Sequence, residues 1–141
     1  MKESRPYILL IDDDEDDLHV FSSEMEKKGI KVKAFDSATP ALNYLTCMSR
    51  HKKLPALIII DYNMPKKNGA QVLVLIKGDA DTKDIPVVIY SNHISEILRE
   101  ELLKAGALYC LQKAWSSQQF DTHIQGFQDM FISFTKDKIL A

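Results

Sequence analysis

Four short stretches of this chain are apolar with hardly an interruption: Tyr7-Ile8-Leu9-Leu10-Ile11, Leu57-Ile58-Ile59-Ile60, Val87-Val88-Ile89-Tyr90 and Ala107-Leu108-Tyr109-Cys110-Leu111. Runs this brief and unbroken suit strands buried on both faces, as in a parallel sheet. Ile30-Lys31-Val32-Lys33-Ala34-Phe35 alternates instead. Lysines within a strand belong to an exposed edge, which places this one at the side of the sheet. Between the strands, apolar residues recur at helical spacing. Leu18, Phe21 and Met25 mark a first helix, stopped by Lys27-Lys28-Gly29. Ala38, Leu42, Leu45 and Met48 mark a second, with Ser37 at its cap, and Ile94, Ile97, Leu98 and Leu102 another, ended by Lys104-Ala105-Gly106. Phe120, Ile124, Phe127, Phe131 and Phe134 form a long stripe in the last helix, expected to be core together with Trp115. Val72–Ile76 reads as strand in isolation, but Asn68-Gly69 before it and the polar loop from Gly78 to Pro86 make it the third helix.

The order is then strand–helix repeated five times. Strict alternation predicts an α/β fold: a parallel sheet with right-handed crossovers and helices on both faces. Every interval between strands exceeds the roughly 10–12 residues a crossover needs.

At 141 residues, with 45% hydrophobic and 27% charged residues, the composition is that of one globular domain. The formal charge of −2 argues against a nucleic-acid binder. Its distribution is uneven. Asp12–Asp17 is acidic throughout, and without it the chain has 14 acids against 18 bases. A dense negative spot on a mildly basic body calls for something cationic. Cys47 and Cys110 lack metal-type spacing and read as reduced thiols. No signal-like segment opens the chain, and its apolar runs of about five residues fall far short of the roughly 20 of a membrane helix. The expectation is a cytoplasmic protein with no membrane and no nucleic acid among its partners.

In an open α/β sheet, ligands bind beyond the carboxyl ends of the strands. Asp12, Asp13 and Asp14 follow the first strand, Asp61 the third, Ser91 the fourth, and Lys113, past Gln112, the fifth. Two carboxylates about 4 Å apart repel by roughly 4 kcal/mol at an effective dielectric of 20, so they must take up protons or a cation. An all-oxygen site with few protein ligands suits Mg²⁺. A carboxylate beside Mg²⁺, a lysine and a hydroxyl can attack phosphorus and hold the phosphoryl group as an aspartyl phosphate. Each residue has a plainer role. The acidic run favours a helix N-terminus, and Glu15, Asp16 and Asp17 are assigned only that. Ser91 could be a helix cap, Asp61 a turn residue and Lys113 a solvated lysine. Their coincidence at successive strand ends weighs against all of these at once.

These residues resemble a response-regulator receiver domain of two-component signalling. The resemblance spans about residues 6–128 and rests on Ile8-Leu9-Leu10-Ile11-Asp12-Asp13, Ile59-Ile60-Asp61-Tyr62-Asn63-Met64-Pro65 with Gly69, Pro86-Val87-Val88-Ile89-Tyr90-Ser91, Lys104-Ala105-Gly106-Ala107 and Lys113. It implies a flavodoxin-like, doubly wound sheet of five parallel strands in the order 2-1-3-4-5 with five helices. It implies Asp61 as phosphoacceptor, assisted by Ser91 and Lys113. The implied Mg²⁺ ligands are Asp12, Asp13, Asp61 and the backbone carbonyl of Asn63, with Asp12 acting mainly through water. Asn63 and His93 would tune dephosphorylation. The implied partners are a sensor histidine kinase or phosphotransfer protein as donor, a downstream protein target, and a second copy as a candidate homodimer.

Two positions depart from the family pattern. Ala114 stands where proline usually follows the lysine, and Cys110 where the aromatic switch residue usually stands. The expected layout is a receiver domain over residues 1–128, free of any output domain, and a C-terminal extension over 129–141. The receiver would turn over no external substrate. Its rivals are a phosphorylation-independent interaction module, favoured by Cys110 and Ala114, and an aspartate-nucleophile phosphatase, which would need a second aspartate in place of Asn63. Val74 and Leu75, apolar at positions usually polar in receivers, and the extension with Phe131, Phe134, Ile139 and Leu140 either cover one another or a neighbouring helix, or meet a partner.

Overall fold

A computed structural model describes residues 5–140, with side-chain surroundings for residues 5–136. Residues 1–4 and the side chains of Ile139 and Leu140 lie outside the described residues. Strands β1 (Tyr7–Ile11), β2 (Lys31–Phe35), β3 (Leu57–Ile60), β4 (Val87–Ser91) and β5 (Tyr109–Gln112) alternate with α1 (Glu15–Lys27), α2 (Ala38–Arg50), α3 (Gly69–Lys77), α4 (Glu96–Lys104) and α5 (Ser117–Leu140). All pairings are parallel, in the order β2-β1-β3-β4-β5. This is the doubly wound sheet the resemblance implies. The lysine-bearing β2 is an edge, and the ammonium of Lys31 lies over the ring of Tyr7 and that of Lys33 over the rings of Phe35 and Tyr44.

The period of two along each strand divides the core into two layers. Leu9, Ile11, Ile58, Ile60, Val87, Ile89 and Cys110 face α2, α3 and α4. Ile8, Leu10, Leu57, Ile59, Val88 and Tyr90 face α1 and α5, where Phe21, Met25, Ile124, Phe127 and Phe131 fill the layer. Continuous apolar runs are therefore required at β1, β3 and β4, each fully buried. The fifth run behaves otherwise. It pairs only with β4, begins at Tyr109, and leaves Tyr109 exposed. As the second edge it is only partly covered, with Cys110 buried on the α4 side and Leu111 half-buried on the α5 side.

The ambiguous Val72–Ile76 segment is helical because Asn68 and Gln71 form a reciprocal capping box, with bonds of 2.9 and 2.8 Å, that commits the chain at Gly69. Val72, Leu73 and Ile76 turn inward, while Val74 and Leu75 stay exposed. Several local expectations are corrected. Ser37 occupies the N-cap position of α2 without making a side-chain cap bond. Ile97 faces solvent, because Ser95 starts α4 one residue before Glu96 and this phase turns Leu102 inward instead. Phe134 is exposed at the outer side of α5, beyond the layer that holds Phe131. Trp115 is 82% exposed rather than core. It precedes a tight cap, in which Ser116 Oγ accepts from Gln119 N and Gln119 Oε1 accepts from Trp115 N, and this turn directs the indole away from the sheet. Among the described residues no helix is long and apolar enough to cross a membrane.

Candidate functional site

The carboxyl ends of β1, β3, β4 and β5 meet at one edge of the sheet, and hydrogen bonds that continue the ladder past each strand fix what they carry. Asp12 N donates to Phe35 O at 3.0 Å, Asp61 N to Ile11 O at 2.8 Å, and Lys113 N to Ser91 O at 2.8 Å. The backbones of Asp12, Asp61, Ser91 and Lys113 are thus extensions of the sheet rather than free loops. Asp12, Asp61 and Ser91 are buried, and the Lys113 side chain is 8% exposed.

Ser91 Oγ donates to Asp61 Oδ1 at 2.8 Å. Asn63 approaches the same pair, its backbone N 3.4 Å from Asp61 Oδ1 and its Nδ2 3.5 Å from Ser91 Oγ. Lys113 Nζ lies 2.7 Å from Asp12 Oδ2, 2.8 Å from Asp17 Oδ2 and 3.9 Å from Asp61 Oδ2. One carboxylate oxygen each from Asp12, Asp13 and Asp61 falls within 4.8 Å of the others, with Asp13 exposed. Asp12 Oδ1 is occupied locally, accepting from Asp14 N at 3.0 Å. The loop after Asp61 is held by Gly69, whose N donates to Tyr62 O at 2.8 Å. A Cβ on Gly69 would meet Tyr62 Cα at 2.8 Å and Asp61 O at 2.9 Å, so only glycine permits this approach.

The electrostatics follow from burial. Desolvation pushes the Asp61 carboxyl up to about 6, against the Ser91 hydrogen bond and the Lys113 charge, which favour the ionised form. Asp12 is raised for the same first reason, with Lys113 pulling it back. Burial works against the Lys113 ammonium, but bonds from Asp12 and Asp17 more than offset it and hold the lysine above its ordinary range. Three acidic side chains share one ammonium. The surplus negative charge, presented by hard oxygens only, is the donor set that Mg²⁺ takes, so the residues fit that ion.

The structure thus brings together Asp12, Asp13, Asp61, Asn63, Ser91 and Lys113. His93 is exposed two residues beyond Ser91. Cys110 lies three residues before Lys113 in the core layer that faces α2, α3 and α4, buried, its backbone carbonyl accepting from the Arg99 guanidinium of α4. The Lys113–Ala114 bond is trans.

Asp17 is the residue that sequence reasoning misplaced. Besides opening α1, it binds Lys113. No local pattern carried that signal, because the partner lies 96 residues away in the chain. The pairing of Tyr90 OH with His123 Nδ1, at 2.9 Å, had no local signal. Beside the acidic site lies a cavity of about 380 Å³ between α1 and the turn into α5, lined in part by Asp17, Phe21, Tyr90, Lys113, Trp115 and Phe120.

The chain is similar to known proteins in sequence and in fold. The family model described as the response regulator receiver domain matches residues 8–125. Two-component response regulator ORR3 of Oryza sativa subsp. indica is 33% identical over 105 residues, which span 74% of this chain and 77% of the rice protein. A histidine kinase of Formosa agariphila is 29% identical over 123 residues, 87% of this chain but 9% of the kinase. Among solved structures, the phosphorylated cyanobacterial phytochrome response regulator RcpA superposes with a TM-score of 0.82 at 25% identity, covering 92% of this chain and 96% of its own.

Proposed function

The chain belongs to the response regulator receiver domain family, and from that premise we propose that it is a phosphorylation-dependent switch whose acceptor is Asp61. Receiver domains are signalling domains of two-component systems, and the finer reading concerns this chain's own residues. The observation that carries it is the setting of Asp61: a buried carboxylate 2.8 Å from a hydroxyl and 3.9 Å from an ammonium, beside two further carboxylates.

In the proposed reaction an Asp61 oxygen attacks phosphorus of a phosphohistidine on a sensor histidine kinase or phosphotransfer protein. The new P–O bond forms as the P–N bond breaks, and the imidazole leaves with the electron pair. Burial raises the free energy of the ionised carboxylate, which makes it the better nucleophile once deprotonated. The Ser91 hydroxyl donates to the phosphoryl oxygens, and the Lys113 ammonium balances their charge. Asp12, Asp13, Asp61 and the backbone carbonyl of Asn63 would hold Mg²⁺, which supplies neutralisation of charge on the transferring group. Asn63 and His93 flank the acceptor and set the access of water to it. Cys110 takes the switch position without a ring, so movement there passes through the backbone.

The output is contact with a downstream protein target or a second copy, by a cytoplasmic chain whose receiver unit spans residues 1–128 and whose residues 129–141 extend the last helix. No external substrate is turned over. An aspartate-nucleophile phosphatase is disfavoured by Asn63, a carboxamide where a second carboxylate would have to act as acid. Acetyl phosphate with Mg²⁺ should add one labile phosphoryl group, read by intact-mass spectrometry. Asp61→Asn should abolish the gain and keep the fold. Labelling that survives in Asp61→Asn, or that ignores chelation of the metal, overturns the assignment and leaves a phosphorylation-independent module.

A further inference from the structure

We propose that Asp17 is a positioning residue for Lys113: it holds the ammonium against α1 and so limits how readily the lysine reaches a phosphoryl group on Asp61. The inference rests on the reading of Asp61 as acceptor and goes beyond it, to a residue outside the acidic trio.

An ammonium has three donors, and Lys113, with 8% of its side chain exposed, must direct them at protein groups. Two are spent at 2.7 and 2.8 Å on Asp12 and Asp17, and Asp61 lies beyond bonding distance at 3.9 Å. The lysine is therefore held off the acceptor by its other two partners. These differ in kind. Asp12 is buried and belongs to the group that would hold the cation. Asp17 is 45% exposed, and its backbone N–H is anchored by the N-cap Asp14 at 3.1 Å, which fixes the first turn of α1 and with it the carboxylate. Its charge serves no other described contact than Lys113.

Phosphorylation raises the negative charge at Asp61 to nearly two, and an ammonium turning toward it gives up part of its present bonding to Asp12 and Asp17. Asp17 competes directly with that move. Withdrawing its charge leaves Lys113 with one strong partner, Asp12, and the acceptor itself as the next nearest anion. Because the Asp17 carboxylate keeps nearly half its surface in water, the pair is worth little in stability, and the competition it exerts corresponds to a change of about threefold to fivefold in rate.

Initial rates of labelling by acetyl phosphate at saturating Mg²⁺ test this in wild type, Asp17→Asn and Asp17→Glu, each repeated with Lys113→Met. In that reaction the P–O bond to Asp61 forms and acetate leaves with the electrons of the broken P–O bond. Asp17→Asn should be about threefold to fivefold faster than wild type, Asp17→Glu should return to the wild-type rate, and in the Lys113→Met background Asp17→Asn should change nothing. A merely structural role would alter both backgrounds alike. An unchanged or slower Asp17→Asn, or an equal gain without the lysine, overturns the proposal. A crystal structure of Asp17→Asn gives a second reading that needs no phosphoryl transfer: Nζ should lie closer to Asp61 than 3.9 Å, and an unmoved lysine also overturns it. A wild type that takes up no label overturns the reading of Asp61 instead, and the position of Nζ still decides the role of Asp17.

Discussion

Asp61 is a carboxylate that the fold has taken out of water, and its pH behaviour should show it. With its carboxyl pushed up to about 6, the native state holds a proton that the unfolded chain releases near 3.9. Between those values the native state binds more protons, so stability is greatest below the window and falls as pH rises through it. Urea melts in chelator from pH 4 to 7 should show that decline, shared by Asp12, and Asp61→Asn should flatten it. Adding Mg²⁺ at pH 7 should raise the melting temperature, because a cation bound only by the native state stabilises it by mass action. A melting temperature indifferent to tens of millimolar Mg²⁺ would count against the metal site. Gly69→Ala tests the backbone beneath Asp61. With Tyr62 Cα 2.8 Å from the new Cβ, the loop must shift, at a cost of about 1–3 kcal/mol by thermal melting and with slower labelling.

Strand β4 serves two sides of the molecule through its period of two. Ser91 faces Asp61, and Tyr90, one residue earlier, faces α5, where its hydroxyl meets His123 Nδ1 at 2.9 Å and its ring packs edge-on against Phe127. Burial lowers the His123 pKa and so favours the neutral ring, whose Nδ1 pairs with the hydroxyl. The unfolded chain therefore takes up a proton first as pH falls. The contribution is present above about 6.5 and is lost on acidification through the lower native value. Tyr90→Phe should cost about 1 kcal/mol at neutral pH. Tyr90→Phe/His123→Ala should show no further loss from the bond itself, and an NMR titration of His123 should move back toward the ordinary value in Tyr90→Phe. An unmoved titration would show that the bond is not what favours neutral histidine.

At the scale of the molecule, α5 keeps one face buried through Phe131 and on to Thr135. Phe131 is 7% exposed and shares its layer with Phe21, Ile30 and Ala56, so the helix covers the α1 side of the sheet and leaves Val74 and Leu75 bare. Phe131→Ala should cost about 3–5 kcal/mol, whereas the exposed Phe134→Ala should stay within about 0.5 kcal/mol. Denaturant melts of the two variants decide. Equal small effects would mean the extension only rests on the surface. Sedimentation of wild type and of Phe134→Ala then reports whether the bare positions join two copies.

The chemistry of this protein was legible where it depended on position along a strand. Unbroken apolar runs demanded buried strands, alternation demanded a parallel sheet, and the rule that ligands meet strand ends picked out Asp12, Asp13, Asp61, Ser91 and Lys113, because the sheet itself carries those residues to one edge. The tertiary structure alone decided which neighbour each one touches. Lys113 chose Asp12 and Asp17 across 101 and 96 residues of chain, and Tyr90 found His123 on another element. Trp115 turned outward because a cap formed by Ser116 and Gln119 overrode its hydrophobicity. Local patterns record which face a residue presents. Partners, and the protonation states they impose, arise only when helices and strands distant in sequence close on the same few ångströms.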